Sequence, residues 1–351
     1  MLVSVAMCCQ NVVQAAPNTK KQDKDKKSIH AVVKVAEEKV PELQAAADNG
    51  DTVAMRKLGH YYMQQAEDAK GCAYFLKAAE AGDAEARAWY AQALYRQRGF
   101  SQEGEKLALE QAKIAAESGN AMGLYFCALF GYEDKEYASA CLDEAAKKGF
   151  APAMRAYAHV LQSKATRGPE RERKKFLAWY DKAMKAGDLM AALRGIGKRG
   201  YIFERYPYPK SAGIIRKVIA TAKKRPLCWY DTCFDYDFPM ADFAHGSARY
   251  GLVIQGHIAM EQAASSEKNK MDICTKSRKE LYSYLEEQAA KGDPAACHAI
   301  ISLIKMPHLF WSCRPDASFS NSDADYWKNK AEELKKTSPP LYRKLRYPSA
   351  K

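Results

Sequence analysis

Apolar residues recur along the chain at spacings of three and four, the period of an amphipathic helix, in runs that short polar breaks interrupt. One such break is the Gly82-Asp83 pair inside "AAEAGDAEARAWYAQALY", residues 78–95, a stretch otherwise rich in the good helix former Ala. Glycine ends a helix in the left-handed conformation, and the aspartate side chain then caps the next helix. The pattern predicts a helix, a corner and a second helix.

The same corner occurs six times. Each copy has small or polar residues, usually including Ala-Ala, before a glycine, and the six glycines are Gly50, Gly82, Gly119, Gly149, Gly187 and Gly292. The first five are spaced by 32, 37, 30 and 38 residues, which is the period of stacked helical hairpins. We therefore predict an all-α fold, an α/α solenoid of helix-turn-helix repeats.

The helices between the corners share a register. A small residue follows each of the first five glycines by four positions, and an apolar or aromatic residue usually follows by eight. The preceding helix often carries an aromatic pair, such as Tyr74-Phe75 or Trp179-Tyr180. Small side chains let two helices approach closely while the large ones fill the space beside them. This register predicts a core shared between neighbouring hairpins.

Three stretches resemble the Sel-one-like repeat, a tetratricopeptide-like family: "AMRKLGHYY" (54–62), "KGCAYFLKAAEAG" (70–82) and "KFLAWYDKAMKAG" (175–187). The family's tryptophan is replaced at Gln111 and Cys141. The resemblance covers about residues 41–200 and, more weakly, 241–305. It implies a right-handed superhelix that binds proteins or peptides and carries no catalytic residues or cofactor.

The pattern divides the chain into segments. We expect repeats over 29–200, opened by a cap helix with Pro41 near its start, and divergent repeats over 241–305 with a long hairpin loop at 264–276. Between them, 201–240 is an insert rich in Tyr, Pro and Cys. Residues 306–351 supply a C-terminal cap helix near 323–335 and a tail.

The N-terminal sequence resembles a secretory signal. A short apolar run is followed by Val13-Gln14-Ala15, a pattern typical of a cleavage site, although the start lacks basic residues. We predict a signal peptide over 1–16 and a charged linker over 17–28, and hence a periplasmic or secreted protein. A cytoplasmic scaffold is the alternative. No run of eighteen apolar residues predicts a membrane-spanning helix.

The ten cysteines allow two interpretations, disulfide bonds or buried free thiols. In an exported chain they permit disulfides, and the candidate pairs are Cys228 with Cys233, Cys127 with Cys141, and Cys297 with Cys313. Alternatively, several are small buried apolar residues, as free cysteines often are.

Positive charge is concentrated in one segment. The chain has a net charge of +13, and residues 194–225 hold ten basic residues and one acid, interleaved with tyrosines. Such a surface can bind an acidic protein or peptide or an anionic surface, although a solvated face is the commoner outcome. Nucleic acid is disfavoured because charge is mixed elsewhere. The partner-binding candidates in this segment are Arg199, Tyr201, Arg205, Tyr206 and Tyr208.

A second set of candidates lies on the first helices of the repeats, which would line a concave binding face. These are Arg56, His60, Arg87, Arg155 and His159.

Catalysis and metal binding have little support in the sequence. No HExxH or paired CxxC motif occurs. Two Ser-x-x-Lys matches, at Ser265 and Ser302, fit the nucleophile motif of β-lactamase-like or penicillin-binding relatives, but chance produces such matches in a chain rich in both residues. The sequence favours a non-catalytic scaffold with no metal or cofactor, and a β-lactamase-like protein is a further alternative.

Overall fold

The computed structural model describes residues 37–64, 67–97, 102–165, 170–194, 208–224, 250–305 and 321–337. Every regular element in these ranges is helical: fifteen α-helices and two short 3-10 helices, Glu37–Lys39 and Ala264–Ser266. The predicted all-α array of helix-turn-helix repeats is confirmed. The predicted signal peptide and charged linker lie outside the described residues.

The chain forms two compact units, and the first is Met1–Gly187. Its helices each pack on the next: α1 Val40–Asp48, α2 Thr52–Gln64, α3 Asp68–Glu80, α4 Ala84–Gln97, α5 Gln102–Glu117, α6 Ala121–Phe130, α7 Lys135–Lys147, α8 Ala151–Ala165 and α9 Glu170–Lys185. Helix α1 is the predicted N-terminal cap, and α2–α3, α4–α5, α6–α7 and α8–α9 are four successive hairpins.

The six predicted corners all form. Each of the six glycines has a positive φ, between 79° and 94°, which is unstrained only without a Cβ. At the second corner the N–H groups of Gly82 and Asp83 donate to the carbonyls of Ala79 and Ala78, the Schellman pattern. The Asp83 side chain then accepts from the backbone N–H of Ala86 at 2.9 Å. This corner thus satisfies the ends of both helices locally.

Alanines and aromatic rings form the core of the first unit. The Ala-Ala pairs before the corners are buried, as at Ala78 and Ala79, and Leu58 is fully buried. Several glycines allow helices to touch directly: a Cβ on Gly59 would lie 2.6 Å from the Phe75 ring. Small residues at fixed register therefore set the helix spacing, as the sequence predicts.

The second unit is Asp188–Lys351. Its helices are α10 Leu189–Arg194, α11 Tyr208–Lys224, α12 Gly251–Ala263, α13 Lys270–Ala290, α14 Pro294–Lys305 and α15 Asn321–Thr337. Helix α11 packs on α10 and α12, and the remaining helices pack in chain order. Helix α15 covers α14 and includes the predicted C-terminal cap helix.

One expectation about this unit is wrong: α13 begins at Lys270, inside the predicted hairpin loop 264–276. Part of the predicted insert 201–240 forms α11, which packs on α10 and α12. In both cases one face of the helix is buried: on α13 this face begins with Cys274, Ser277 and Leu281. The polar residues between them are exposed, and they gave the segment its loop-like composition.

Candidate functional site

The structure places Arg56 between two repeats. Its guanidinium lies 2.9 Å and 2.7 Å from the two carboxylate oxygens of Asp83 and 3.1 Å from Glu85. Asp83 also caps α4, so one carboxylate ends the corner and joins α2 to the next hairpin. The Arg56 side chain is 21% exposed, and its charge is used inside the fold rather than on a binding face.

His60 belongs to the core, contrary to the prediction that it contacts a partner. It is 3% exposed, and its ring meets the rings of Phe75 and Trp89 edge-on, with centroids 5.1 Å and 4.9 Å away. Burial, helped by the charge of Arg56, lowers the pKa of His60 to about 3. The side chain is therefore neutral at physiological pH.

Two further candidates on the array are also held within the fold. Arg87 donates to the Gln111 side chain at 2.9 Å and to the Ala79 carbonyl at 2.7 Å. Arg155 is 2% exposed, so it is a buried residue and not a surface contact. His159 is exposed, as predicted. The helix face that the sequence assigned to ligand is largely the face that joins the repeats.

The residue eight positions before each of five corner glycines contacts the first helix of its own hairpin or the residue preceding that helix. These residues are Tyr74, Gln111, Cys141, Trp179 and Tyr284, and their partners are Tyr62, Arg87, Cys127, Tyr157 and Tyr250. At this position, three hairpins have a contact between aromatic rings, one has a hydrogen bond and one has a pair of thiols. Where the tryptophan of the repeat pattern is absent, at Gln111 and Cys141, a different contact joins the two helices of the hairpin, and the repeat is kept.

The cysteines that the structure describes at predicted pairing positions are reduced. Cys127, Cys141 and Cys297 are buried and free, so the bridge between Cys127 and Cys141 is not formed and Cys297 is not bridged to Cys313. The thiols of Cys127 and Cys141 hydrogen-bond to each other and to Tyr137. Burial and this bond raise the pKa of Cys127. Cys228, Cys233 and Cys313 lie outside the described residues.

Helix α11 presents the most distinctive surface among the described residues. It has no acidic residue and five basic ones, Lys210, Arg216, Lys217, Lys223 and Lys224. Its apolar side, formed by Ala212, Ile215, Val218, Ile219 and Ala222, is buried. Its opposite side is exposed along Pro209, Lys210, Gly213, Arg216, Lys217, Ala220 and Thr221, which we call the α11 outer face.

The fold leaves two of these charges unneutralised. Within the described residues, no carboxylate oxygen lies within 4 Å of the side-chain nitrogens of Arg216 or Lys217. Lys223, at the edge of the face, is half-buried with its amine 4.6 Å from the Tyr284 ring centroid. Arg216 and Lys217, both exposed, therefore keep their positive charge available to solvent.

Of the predicted basic-segment candidates, only Tyr208 falls in the described residues. It is half-buried, and its hydroxyl lies 3.8 Å from the sulfur of Met260, so it takes part in packing. Arg199, Tyr201, Arg205 and Tyr206 lie outside the described residues. Arg216, Lys217 and Gly213 were not singled out from the sequence, although the acid-free amphipathic stretch 208–224 could have shown them.

The described residues bring together no group of metal ligands, and Ser302, in one of the two Ser-x-x-Lys matches, is engaged within its own helix. The Ser302 hydroxyl donates to the carbonyl of His298 in its own helix at 2.9 Å. No group of three or more potential metal ligands occurs among the described side chains. Nor is any described helix both long enough and apolar enough to span a membrane.

Comparison with known proteins gives one named structural likeness. No protein-family model matches the chain, and no curated protein matches it. A similar solved structure is that of c5321, described as a protective antigen present in uropathogenic Escherichia coli strains and displaying an SLR fold. The TM-score is 0.40 and the identity 19%, over 80% of this chain and 60% of that one. This chain thus spans about 60% of the other's length.

Proposed function

We propose that this protein is a non-catalytic, exported scaffold that binds other proteins through the outer faces of its helices. The observation that carries the proposal is the α11 outer face, on which Arg216 and Lys217 are exposed and have no carboxylate partner within 4 Å among the described residues. The polar residues expected to bind ligand on the array instead join repeats, as Arg56 does with Asp83. We therefore assign the binding of partner proteins to the exposed outer faces of the helices.

A test uses a photo-crosslinking amino acid placed at Ala220 on α11, which is exposed. The matched position is Glu117, exposed at the end of α5. We expect irradiated cells to give a discrete adduct of higher mass from Ala220 and a weaker one or none from Glu117. If neither these nor further exposed positions on other helices give adducts with another protein, the proposed function is wrong.

Export is proposed from residues 1–16, where an apolar run precedes Val13-Gln14-Ala15. N-terminal sequencing of the protein from its native cells should find a chain that starts just after Ala15 or Ala16. An Ala15→Asp variant should block that cleavage and accumulate as the longer form. An intact N-terminus in the wild type would instead identify a cytoplasmic scaffold, the alternative function.

A further inference from the structure

We propose that the α11 outer face docks an acidic α-helix of a partner protein. The proposal rests on the proposed scaffold function and names the site and the chemistry of the partner. It is carried by the charge of the face, by the arrangement of small and basic side chains on it, and by the position of Gly213.

Charge defines the partner. Residues 208–224 carry five bases and no acid, whereas the chain as a whole balances 55 basic residues with 42 acidic ones. Arg216 and Lys217 have no carboxylate partner within 4 Å in the described residues. A ligand that brings carboxylates to this face gains ion pairs without breaking any that Arg216 or Lys217 makes in the described fold.

The side chains on the face form a shallow channel. With 3.6 residues per turn, Gly213 and Ala220 lie along the middle of the exposed side. Lys210 and Lys217 lie to one side of that line, and Arg216 lies to the other. Small residues flanked by cations on both sides let a second helix approach closely while its carboxylates reach Lys210 and Lys217 on one side and Arg216 on the other.

Gly213 is not required by close packing against any residue that the structure describes. A Cβ built on it would meet no atom within 4 Å, whereas a Cβ on Gly256 of α12 would lie 2.4 Å from the Ile219 side chain. Glycine inside a helix is unfavourable relative to alanine. Close packing therefore explains Gly256, and the close approach of an external helix supplies the corresponding reason at Gly213.

The same face is poorly suited to a lipid bilayer. Helices that lie in the membrane interface insert large apolar side chains such as Trp, Phe and Leu. The exposed residues of α11 include none of these; Ile215, Val218 and Ile219 are buried, and Ile214 is half-buried. An acidic helix needs only charge and close access, and the face offers both.

Binding to a defined probe tests the proposal. The full chain is titrated with a fluorescent Ala/Glu peptide of about 20 residues, long enough for partial helix formation, whose glutamates flank one alanine face. The Ala/Lys counterpart and an Ala/Glu peptide interrupted by prolines are titrated in parallel. We expect the helical acidic peptide to bind more tightly than both, and its affinity to fall as salt rises.

Two variants of α11 separate charge from shape. Arg216→Glu combined with Lys217→Glu, and Gly213→Leu alone, should each weaken binding by about tenfold or more, while the melting curve stays close to wild type. The matched control is Lys268→Glu combined with Lys279→Glu, two exposed lysines of the same unit, and it should change the affinity by less than about twofold.

Any of three titration results would overturn the proposal. The wild type fails to prefer the helical acidic peptide, or Gly213→Leu binds it normally, or vesicles containing phosphatidylglycerol compete with it at equal charge. If crosslinks form on other helices and none forms at Ala220, the docking proposal fails and the scaffold function stands. Absence of crosslinks at every position would contradict both.

Discussion

A histidine between two aromatic rings makes the stability of the first unit depend on pH. His60 is 3% exposed, and its folded-state pKa is lowered to about 3, against an ordinary value of 6.5. Below pH 6.5 the unfolded chain takes up a proton that the folded chain refuses, so stability is lost as the pH falls from 6.5 towards 3. His257 in the second unit, with a pKa lowered to about 4, acts in the same direction.

We expect acidification from pH 7 to pH 5 to lower the unfolding free energy of the first unit by about 2 kcal/mol through His60 alone. Urea denaturation at both pH values measures this. The control is His60→Leu, because Leu129 occupies the same register in the third hairpin. If that variant keeps the full pH dependence, His60 is not its source.

Two helix glycines should respond oppositely to the same substitution. Gly213→Ala should stabilise the second unit by about 0.5–1 kcal/mol, because alanine favours the helix and its Cβ meets no described atom within 4 Å. Gly256→Ala should destabilise it by about 1–3 kcal/mol, because the new Cβ would lie 2.4 Å from Ile219. Thermal unfolding of both variants decides the matter, and equal effects would contradict the steric difference.

At the scale of the element, one carboxylate links a helix end to the neighbouring repeat. Asp83 caps α4 and pairs with Arg56 of α2. Asp83→Ala should lose both interactions and cost about 2 kcal/mol, whereas Asp83→Asn keeps a capping oxygen and should cost about 1 kcal/mol. Asp51→Ala, which loses the cap bonds to Val53 and Ala54, is the comparison for a cap alone and should cost about 1 kcal/mol.

Urea midpoints of the three variants test this order. An Asp83→Asn variant as destabilised as Asp83→Ala would show that the ion pair, and not the cap, dominates at this corner.

The corners could be predicted from sequence because they are local. Gly82 ends one helix and Asp83 begins the next through bonds to residues within five positions. The packing of helix α11 could not be predicted for the opposite reason: its amphipathic pattern is visible in the sequence, but its partner α12, which lies further along the chain, is not. Likewise, nothing in the sequence shows that His60 faces Phe75 and Trp89 rather than a ligand.

At the scale of the whole molecule, stability should be carried from neighbour to neighbour. Each helix in a unit packs mainly on the helices before and after it in the chain. In such an array a destabilising mutation lowers the stability of neighbouring helices more than that of distant ones. Leu58, fully buried beside Ala47 and Ala54, is a site at which to test this.

Leu58→Ala should cost about 2–4 kcal/mol through the cavity it leaves. We expect hydrogen exchange to accelerate in α1 to α4, and exchange in α13, in the other unit, to stay unchanged. Equal acceleration in α13 would mean that the two units unfold together.

The closed corners also bear on how such a chain changes over generations. Gly82 and Gly119 end equivalent helices with the same hydrogen bonds, and the residues after them, Asp83 and Asn120, cap the next helix in the same way. A gene duplication with its breakpoints in two such corners inserts a whole hairpin whose helix ends are already satisfied. The number of repeats can therefore change during evolution without leaving unsatisfied helix ends. Each added repeat lengthens the surface available to partners.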